Sequence, residues 1–285
     1  MSQLEVRAFD AALGAEVGGL DLSRPVPTAE MERLGAALAR HLVLRLRGQT
    51  IGDRELLRFS RGLGELDPPG PNPYGAPFLP EFPDINVISN VVEDGVPKGN
   101  LGYGEAVWHA DMTYVEVPPM AAVLYALEVP PAGGDTSFAN MYAAYETLPP
   151  DLKTAVEGGW AVHDASHNSA GMLRKGYQQV TDVRQTPGAR HPLVRTDPAS
   201  GRKALFLGRR PLSYVVGLSV EDSEVLLDRL WAHATRAEHC WTQRWREGDL
   251  LIWHNLSVLH RRDGFEQDAR RVMHRTQIRG SERIA

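Results

Sequence analysis

The feature that most restricts the fold of this chain is an almost continuous apolar run from Met120 to Val129. A Pro-Pro-Ala-Gly-Gly segment at 130–134 follows it directly, and such residues end regular structure. Segments 250–253 and 272–278 have the same strand-like character. Short strands separated by Gly and Pro predict a mainly β fold, a sandwich or jelly roll with helices packed outside.

A smaller number of segments have helical spacing of apolar residues. Residues 28–41 begin after a proline and carry acidic residues in the first turn, which predicts a helix. A short strand is predicted for 42–47. A second helix is predicted from Asp53, taken as its N-cap, to Gly62, and a third at 219–235.

Two segments fit neither pattern. Residues 67–107 begin with a Pro-rich stretch that suits neither a helix nor a central strand, and residues 168–190 are rich in Gly, Gln and Arg. Long loops in compact domains are usually functional or disordered. We therefore predict that 67–107 and 168–190 are active-site lid loops of a single domain spanning 1–285.

Charge and cysteine content restrict the partners and the compartment. The chain has 31 basic and 36 acidic residues, a net charge of -5, which argues against nucleic acid or an anionic membrane as a partner. Cys240 is the single cysteine, and the N-terminus has no signal-peptide pattern. No stretch approaches the roughly 20 apolar residues of a membrane span. We expect a cytoplasmic protein that binds a small organic molecule.

Three side chains are candidate metal ligands. His109 and Asp111 are two residues apart, so on a strand they point to the same side. Taken alone, this pair favours a plain hydrogen bond. His260 lies at the end of a strand-like run far downstream and is a candidate for a third ligand. Two histidines and one carboxylate form the facial triad of non-haem iron enzymes, which leaves three positions open for other ligands.

An arginine pair follows the last candidate ligand. If 272–278 is a strand, Arg271 and Arg275 share one face. Two cations directed into one pocket are costly unless an anion meets them, and guanidinium groups suit carboxylates. The alternative is a solvated basic edge.

Several longer motifs accompany these residues, including Trp-His-Ala-Asp at 108–111, Gly-Gly-Asp-Thr at 133–136 and Arg-Arg-Val-Met-His-Arg at 270–275. With them the sequence resembles, nearly end to end, the taurine dioxygenase (TauD/TfdA) family of Fe(II)/2-oxoglutarate dioxygenases. The resemblance implies a double-stranded β-helix, a cupin-like jelly roll. It also implies Fe(II), 2-oxoglutarate as co-substrate and O2, with release of succinate and CO2.

The resemblance assigns roles residue by residue. It implies that His109, Asp111 and His260 bind the iron, and that Thr136 and Arg271 bind the distal carboxylate of 2-oxoglutarate.

For the substrate, the resemblance implies a small anionic organic molecule that meets Arg275. Tyr103, Asn90 and Glu105 are further candidates for the substrate pocket. Glu105 and Pro69 stand where the taurine enzyme has an asparagine and a histidine, so taurine itself is not the expected substrate. The surroundings, with Trp and Met, are expected to tolerate an apolar or aromatic body.

The same residues are compatible with other functions. The same cofactors support C–O or C–S bond cleavage or desaturation instead of simple hydroxylation. A non-catalytic cupin-like binding module would have no need for both the triad and Arg271, and a zinc hydrolase would leave Arg271 and Thr136 unexplained. The resemblance is compatible with a homodimer or homotetramer. His254 stands where Asp is common in the family, and the sequence gives no reason for it.

Overall fold

A computed structural model describes residues 4–70, 75, 77–281 and 283–284. Residues 71–74 and 76 of the predicted lid therefore lie outside the described residues. Two β-sheets form the centre of the molecule, and Phe138 of one sheet contacts Trp253 of the other with ring centroids 5.7 Å apart. The predicted mainly β jelly-roll fold with flanking helices is confirmed.

The strands that build the two main sheets are short and come from the whole chain. The larger sheet contains β1 Glu5–Ala8, β2 Ala15–Gly18, β3 Val43–Leu46, β4 Leu66–Asp67, β5 Asn86–Ser89, β8 Asn100–Leu101, β10 Ala121–Glu128, β18 Leu250–His254 and β20 Val272–Ile278. The smaller sheet contains β9 Ala106–His109, β11 Thr136–Asn140, β17 Cys240–Gln243 and β19 Val258–Arg262. The remaining strands are β6 Val92–Glu93, β7 Val96–Pro97, β12 Trp160–Val162, β13 Arg190–Pro192, β14 Val194–Thr196, β15 Lys203–Leu205 and β16 Tyr214–Val215.

The order of strands differs strongly from their order in the chain. In the larger sheet it is β1-β2-β3-β18-β10-β20-β5-β8, with β4 paired to β20, and in the smaller sheet it is β17-β11-β19-β9. Neighbouring strands are thus far apart in sequence, as β3 and β18 are. Long-range pairing of this kind brings the end of the chain beside its middle.

Strand β10 explains why the opening apolar run is continuous. Ala122 and Leu124 belong to the core between the two sheets, whereas Val123 and Tyr125 belong to a second core under the first two helices. A strand covered on both faces has no solvent side and needs no polar alternation. The run from 120 to 129 is therefore the central strand of the larger sheet.

The predicted helices are present as α1 Thr28–His41, α2 Asp53–Leu63 and α5 Val220–Ala234. In α5 the hydroxyl of Ser219 caps the helix by accepting the N–H of Asp222 at 3.0 Å. Two short helices, α3 Met141–Glu146 and α4 Pro150–Val156, were not indicated by the sequence. None of the helices among the described residues is long and apolar enough to cross a membrane.

Two details of the predicted organisation are wrong. Gly52, not Asp53, is the N-cap of α2, because the helix already begins at Asp53 and the Glu55 carboxylate accepts the Gly52 N–H at 3.1 Å. The segment 67–107 is not a loop throughout, since β5 is fully buried inside the larger sheet. The Pro-rich composition that suggested a lid is confined to its first part.

Candidate active site

The metal-ligand candidates are brought together by the pairing of β9 with β19. In this pair His109 lies directly opposite His260. The ring centroids are 4.1 Å apart. Residues directly opposite each other on antiparallel strands have neighbouring side chains, so the register alone places both imidazoles at one point.

Asp111 reaches the same point from a turn. We expected His109 and Asp111 to be close because they alternate along one strand. That expectation is wrong, since strand β9 ends at His109. The buried side chain of Asn255 holds Asp111 instead. Its oxygen accepts the Asp111 N–H at 2.7 Å, and its amide donates to the Asp111 carbonyl at 2.9 Å.

The three candidate ligand groups form a compact, buried cluster. Their ligand atoms all lie within 4.8 Å of one another. Nε2 of His109 is 3.7 Å from Oδ1 of Asp111, and Nε2 of His260 is 3.9 Å from Oδ2. Nδ1 of His109 donates to the Val107 carbonyl at 2.7 Å. This bond fixes the tautomer and leaves Nε2 free for a metal.

The donor set fits Fe(II). Oδ2 of Asp111 is buried without a hydrogen-bond partner among the described residues, and such an atom is costly unless a cation or donor meets it. Burial holds the pKa of His260 well below its usual range, so its imidazole is neutral and can bind a metal. Two imidazoles and one carboxylate are the ligands of the iron facial triad.

Arg275 contacts the carboxylate of this cluster directly. Its Nη1 donates to Oδ1 of Asp111 at 2.7 Å. Burial alone would raise the pKa of Asp111, but the Arg275 guanidinium holds that pKa well below its usual range. Asp111 is therefore ionised at neutral pH, and Arg275 orients it.

A cavity of about 440 Å³, counting its open mouth, adjoins the histidines; we call it the arginine cavity. Its lining combines apolar side chains with three arginines. The lining residues are Ile88, Leu101, Ala106, His109, Leu124, Thr136, Trp253, His260, Arg262, Arg271 and Arg275. The structure thus brings Thr136 and Arg271 together beside the histidines, as the family resemblance implies.

Two buried cations in this cavity lack an acidic partner. Arg271 is 2% exposed and Arg262 is 6% exposed, and neither forms an ion pair with any described residue. Burial, followed by the charge of Arg262, lowers the pKa of Arg271 to about 9. Burial lowers the pKa of Arg262 to about 10. Both side chains remain charged at neutral pH, and an anion entering the cavity would neutralise them.

The hydroxyl of Thr136 is oriented by a tryptophan. Nε1 of Trp245 donates to Oγ1 of Thr136 at 2.9 Å. Because this bond occupies an acceptor position of the hydroxyl, its own proton is available to a different acceptor. Thr136 is therefore a hydrogen-bond donor to the arginine cavity.

A second cavity, of about 700 Å³ counting its open mouth, adjoins the other side of the metal-ligand cluster; we call it the polar cavity. Its lining residues are Gly70, Asn86, Asn100, Leu101, His109, Ala110, Asp111, Met112, Thr113, Tyr114, Asp164, His167, Asn168, Ser169, Arg174, Arg209 and Arg275. Residues 168–174 of the predicted second lid contribute three of them. Of the expected Trp- and Met-containing surroundings, Met112 lies in this lining and Trp253 lies in the arginine cavity; the described lining of the polar cavity holds no tryptophan.

Three of the predicted substrate residues lie elsewhere. Tyr103 is 45% exposed, and the side chain of Glu105 is an exposed ion-pair partner of Arg261 at 3.1 Å. The amide of Asn90 donates to backbone carbonyls of 267–269, and its oxygen accepts the Arg271 N–H at 3.0 Å. Asn90 therefore fixes the backbone before Arg271 and lines neither cavity.

Several site residues were not indicated by the sequence. Arg262 is two residues beyond His260 on the same strand, so the period of two was a usable signal for it. Asp164 precedes the predicted second lid and Arg174 lies within it. No spacing rule links either residue to the metal ligands. Arg209 is buried as well, and it contacts the buried carboxylate of Asp164.

The other histidines and the cysteine fall outside the cluster. His274 bonds to Asp53 and lines neither cavity. His254 ends β18, and burial lowers its pKa to about 4. Cys240 is half-buried at the start of β17, and burial raises its pKa to about 11, so it is not a reactive thiolate.

Comparison with known sequences places this geometry in context. A profile of the taurine catabolism dioxygenase TauD, TfdA family matches residues 5–277. The alpha-ketoglutarate-dependent 2,4-dichlorophenoxyacetate dioxygenase of Cupriavidus pinatubonensis is 34% identical over 269 residues, which covers 92% of each chain. The alpha-ketoglutarate-dependent sulfate ester dioxygenase of Pseudomonas putida is 34% identical over 268 residues, covering 90% of this chain and 83% of the relative.

Solved structures of related dioxygenases have the same fold. AAD-2 in complex with Mn(II) and N-oxalylglycine is similar with a TM-score of 0.81 and 27% identity, covering 99% of this chain and 100% of that one. A taurine dioxygenase from Burkholderia xenovorans has a TM-score of 0.78 and 29% identity, covering 98% of this chain and 90% of that one.

Proposed function

Because the chain belongs to the taurine catabolism dioxygenase TauD, TfdA family, we propose that it hydroxylates a small organic anion of the carboxylate, sulfonate or aryloxyalkanoate type, with His109, Asp111 and His260 as iron ligands. The protein is an Fe(II)- and 2-oxoglutarate-dependent dioxygenase, an oxidoreductase that uses O2 and releases succinate and CO2.

The observation that carries the assignment of residues is the arginine cavity beside the buried cluster. A metal site alone would also suit a hydrolase. A hydrolase has no use for two buried arginines that lack an acidic partner among the described residues next to its metal, whereas 2-oxoglutarate brings a second carboxylate that suits them. The cluster and the cavity share His109 and His260.

The chemistry balances without another reductant. When bound, Fe(II) together with O2 and 2-oxoglutarate supplies the oxidising power: 2-oxoglutarate leaves as succinate and CO2, and one oxygen atom of O2 enters a C–H bond of the substrate as a hydroxyl group. One oxygen atom of O2 ends in succinate and the other in the product.

The chain's own residues bind and orient the reactants. Arg271, with Arg262 beside it, binds the distal carboxylate, and Thr136 donates its hydroxyl proton to the same group. Arg275 holds the carboxylate of Asp111. Trp253 and Leu124 exclude water from the arginine cavity, which strengthens these electrostatic contacts.

The substrate is expected in the polar cavity. The relatives' names include a dichlorophenoxyacetate and a sulfate ester, both organic anions. If the hydroxylated carbon carries an oxygen or sulfur substituent, the product collapses with cleavage of that bond. Product analysis therefore separates hydroxylation from C–O or C–S cleavage and from desaturation. The contact between Arg275 and the substrate anion, and assembly as a homodimer or homotetramer, stay predictions.

Anaerobic spectroscopy tests the assignment of the site. Fe(II) and then 2-oxoglutarate are added to metal-free protein without oxygen, and the visible spectrum is recorded. We expect a weak charge-transfer band that is lost in His109→Ala and weakened in Arg271→Ala. Absence of the band from the wild type, together with tight zinc binding, would reject the proposal in favour of a hydrolase.

A further inference from the structure

The polar cavity is poorly suited to an aromatic or long alkyl body. Leu101 and Met112 are the only large aliphatic side chains in its described lining. The other walls carry amides, hydroxyls and charged groups. Asn86 and Asn100 hydrogen-bond to each other at 2.8 Å, but the Tyr114 hydroxyl has no partner among the described residues. A ligand made only of carbon and hydrogen leaves such a group unsatisfied, which costs binding free energy.

Most charges on the wall are already neutralised in pairs. Arg275 pairs with Asp111 at 2.7 Å. The buried Arg209 pairs with the buried carboxylate of Asp164, and its Nη1 donates to the Asn168 carbonyl at 2.8 Å. These two arginines therefore offer little uncompensated positive charge to a ligand.

Arg174 is the exception. It forms no ion pair with an acidic side chain in the described part of the chain. Its Nη1 donates to the Ala165 carbonyl at 2.9 Å, and its Nε is buried without a partner among the described residues. A half-buried cation of this kind is stabilised when an anion binds it.

Tyr114 holds the Arg174 guanidinium in place. The guanidinium carbon lies 4.0 Å from the centroid of the Tyr114 ring, a cation–π stack that fixes the plane of the donors. The Tyr114 hydroxyl is buried without a described hydrogen-bond partner and lies against Gly70, where a side chain would collide with it. The stacked pair thus presents both a cation and a phenolic donor.

We propose that the anionic group of the substrate binds to Arg174 and the Tyr114 hydroxyl in place of Arg275. Among the anions that the proposed function admits, the substrate is then a short aliphatic anion with hydroxyl or amino groups and not an aryloxyalkanoate or a long alkyl ester. This proposal rests on the proposed function, because it concerns the substrate of the same site. The body of the substrate lies between this pair and the metal-ligand cluster, beside Asn86 and Asn100, whose amides bond to each other at 2.8 Å and keep further donors for its polar groups.

Substitution of Arg174 separates this anion contact from the rest of the site. Arg174→Met removes the charge and keeps the length, and Arg174→Lys keeps the charge without the planar donor set. Arg184→Met is the matched control, because Arg184 belongs to the same segment, is 61% exposed and pairs with Asp182. Thermal unfolding of each variant checks that it is folded.

The probes are 3-hydroxybutyrate, 4-aminobutyrate and 2-hydroxyethanesulfonate, compared with phenoxyacetate and hexyl sulfate. For each, the dissociation constant from the anaerobic Fe(II)–2-oxoglutarate complex and the KM for stimulated succinate release are measured. At least one polar probe should bind more tightly than both apolar ones. The KM for that polar probe, divided by the KM for 2-oxoglutarate, should rise roughly 10- to 150-fold in Arg174→Met. The rise should be smaller in Arg174→Lys and less than about twofold in Arg184→Met.

Two results overturn the proposal while leaving the enzyme class intact. One is that no polar probe binds the wild-type complex more tightly than phenoxyacetate and hexyl sulfate. The other is that Arg174→Met changes the relative KM less than about twofold, as expected for a surface charge. Failure of the wild type to form a 2-oxoglutarate complex would instead reject the function proposed above.

Discussion

Replacement of Arg271 by methionine should have opposite effects on stability and on co-substrate binding. Arg271 is 2% exposed and has no acidic partner among the described residues, so its charge is held in the apoprotein at a cost. Burial lowers the pKa of the Arg271 guanidinium from 12.5 to about 9. At about 1.4 kcal/mol for each pKa unit, this difference corresponds to roughly 5 kcal/mol by which the site disfavours the charged form.

Methionine has a similar length and no charge. Replacing buried charges by apolar side chains of similar volume often stabilises a protein by about 1–4 kcal/mol. We expect the lower part of that range, because the mouth of the arginine cavity is open in the apoprotein and part of the charge is solvated there. Arg271→Met should therefore raise the melting temperature of the apoprotein by a few degrees, at roughly 2–4 °C for each kcal/mol.

The same change should nearly abolish 2-oxoglutarate binding. Loss of one partner of a buried charge pair costs about 2–5 kcal/mol, which is roughly a 30- to 5000-fold rise in the dissociation constant. The thermal stabilisation that 2-oxoglutarate gives to the wild type should disappear as well.

Calorimetry with and without the co-substrate measures both effects. Arg270→Met is the matched control: the adjacent Arg270 is 55% exposed and pairs with Glu128, so its loss should change stability by less than about 1 kcal/mol. An apoprotein that loses more than about 1 kcal/mol in Arg271→Met while binding 2-oxoglutarate normally would refute the reasoning.

Other predictions concern Asp111, His254 and Glu105. Asn255→Ala should destabilise the protein by about 2–4 kcal/mol, because it leaves backbone groups of Asp111 unpaired. Metal titration of this variant should show about 10- to 100-fold weaker metal binding. An unchanged metal affinity would contradict the role of Asn255. Burial lowers the pKa of His254 to about 4, so between pH 4 and 6.5 the unfolded chain binds more protons than the folded chain. The free energy of unfolding should therefore fall as the pH drops through that window, by at most roughly 3 kcal/mol. Denaturation curves at several pH values should show a smaller fall in His254→Gln, and an equal fall would exclude this residue as the cause. Glu105→Gln should leave the KM for any substrate within about twofold, since its carboxylate pairs with Arg261 on the surface; a larger change in steady-state kinetics would return Glu105 to the substrate site.

The sequence predicted those parts of the protein whose signals are local. Helices α1, α2 and α5 follow from apolar spacing and flanking residues, and β10 follows from its uninterrupted apolar run. The metal-ligand candidates and Arg271 were found because their motifs are specific to one family.

Signals of this kind do not report which strands become neighbours. Asp53 was expected to cap α2, but His274, which comes from the far end of the chain, occupies its carboxylate. The short helices α3 and α4 contain too few turns to show a period. Glu105 and Tyr103 are close to the metal motif in sequence, yet they lie on its outer side.

The sequence by itself determined the fold class and the identities of the candidate ligands and co-substrate residues, because both are encoded in short patterns of residue type. Only the tertiary structure decided the character of the two cavities. The register of β9 with β19 sets His109 against His260, and distant loops place Arg174, Asp164 and Arg209 on one wall. Which charges are neutralised and which remain free depends on distances of a few ångströms between residues far apart in the chain, and no local pattern encodes them.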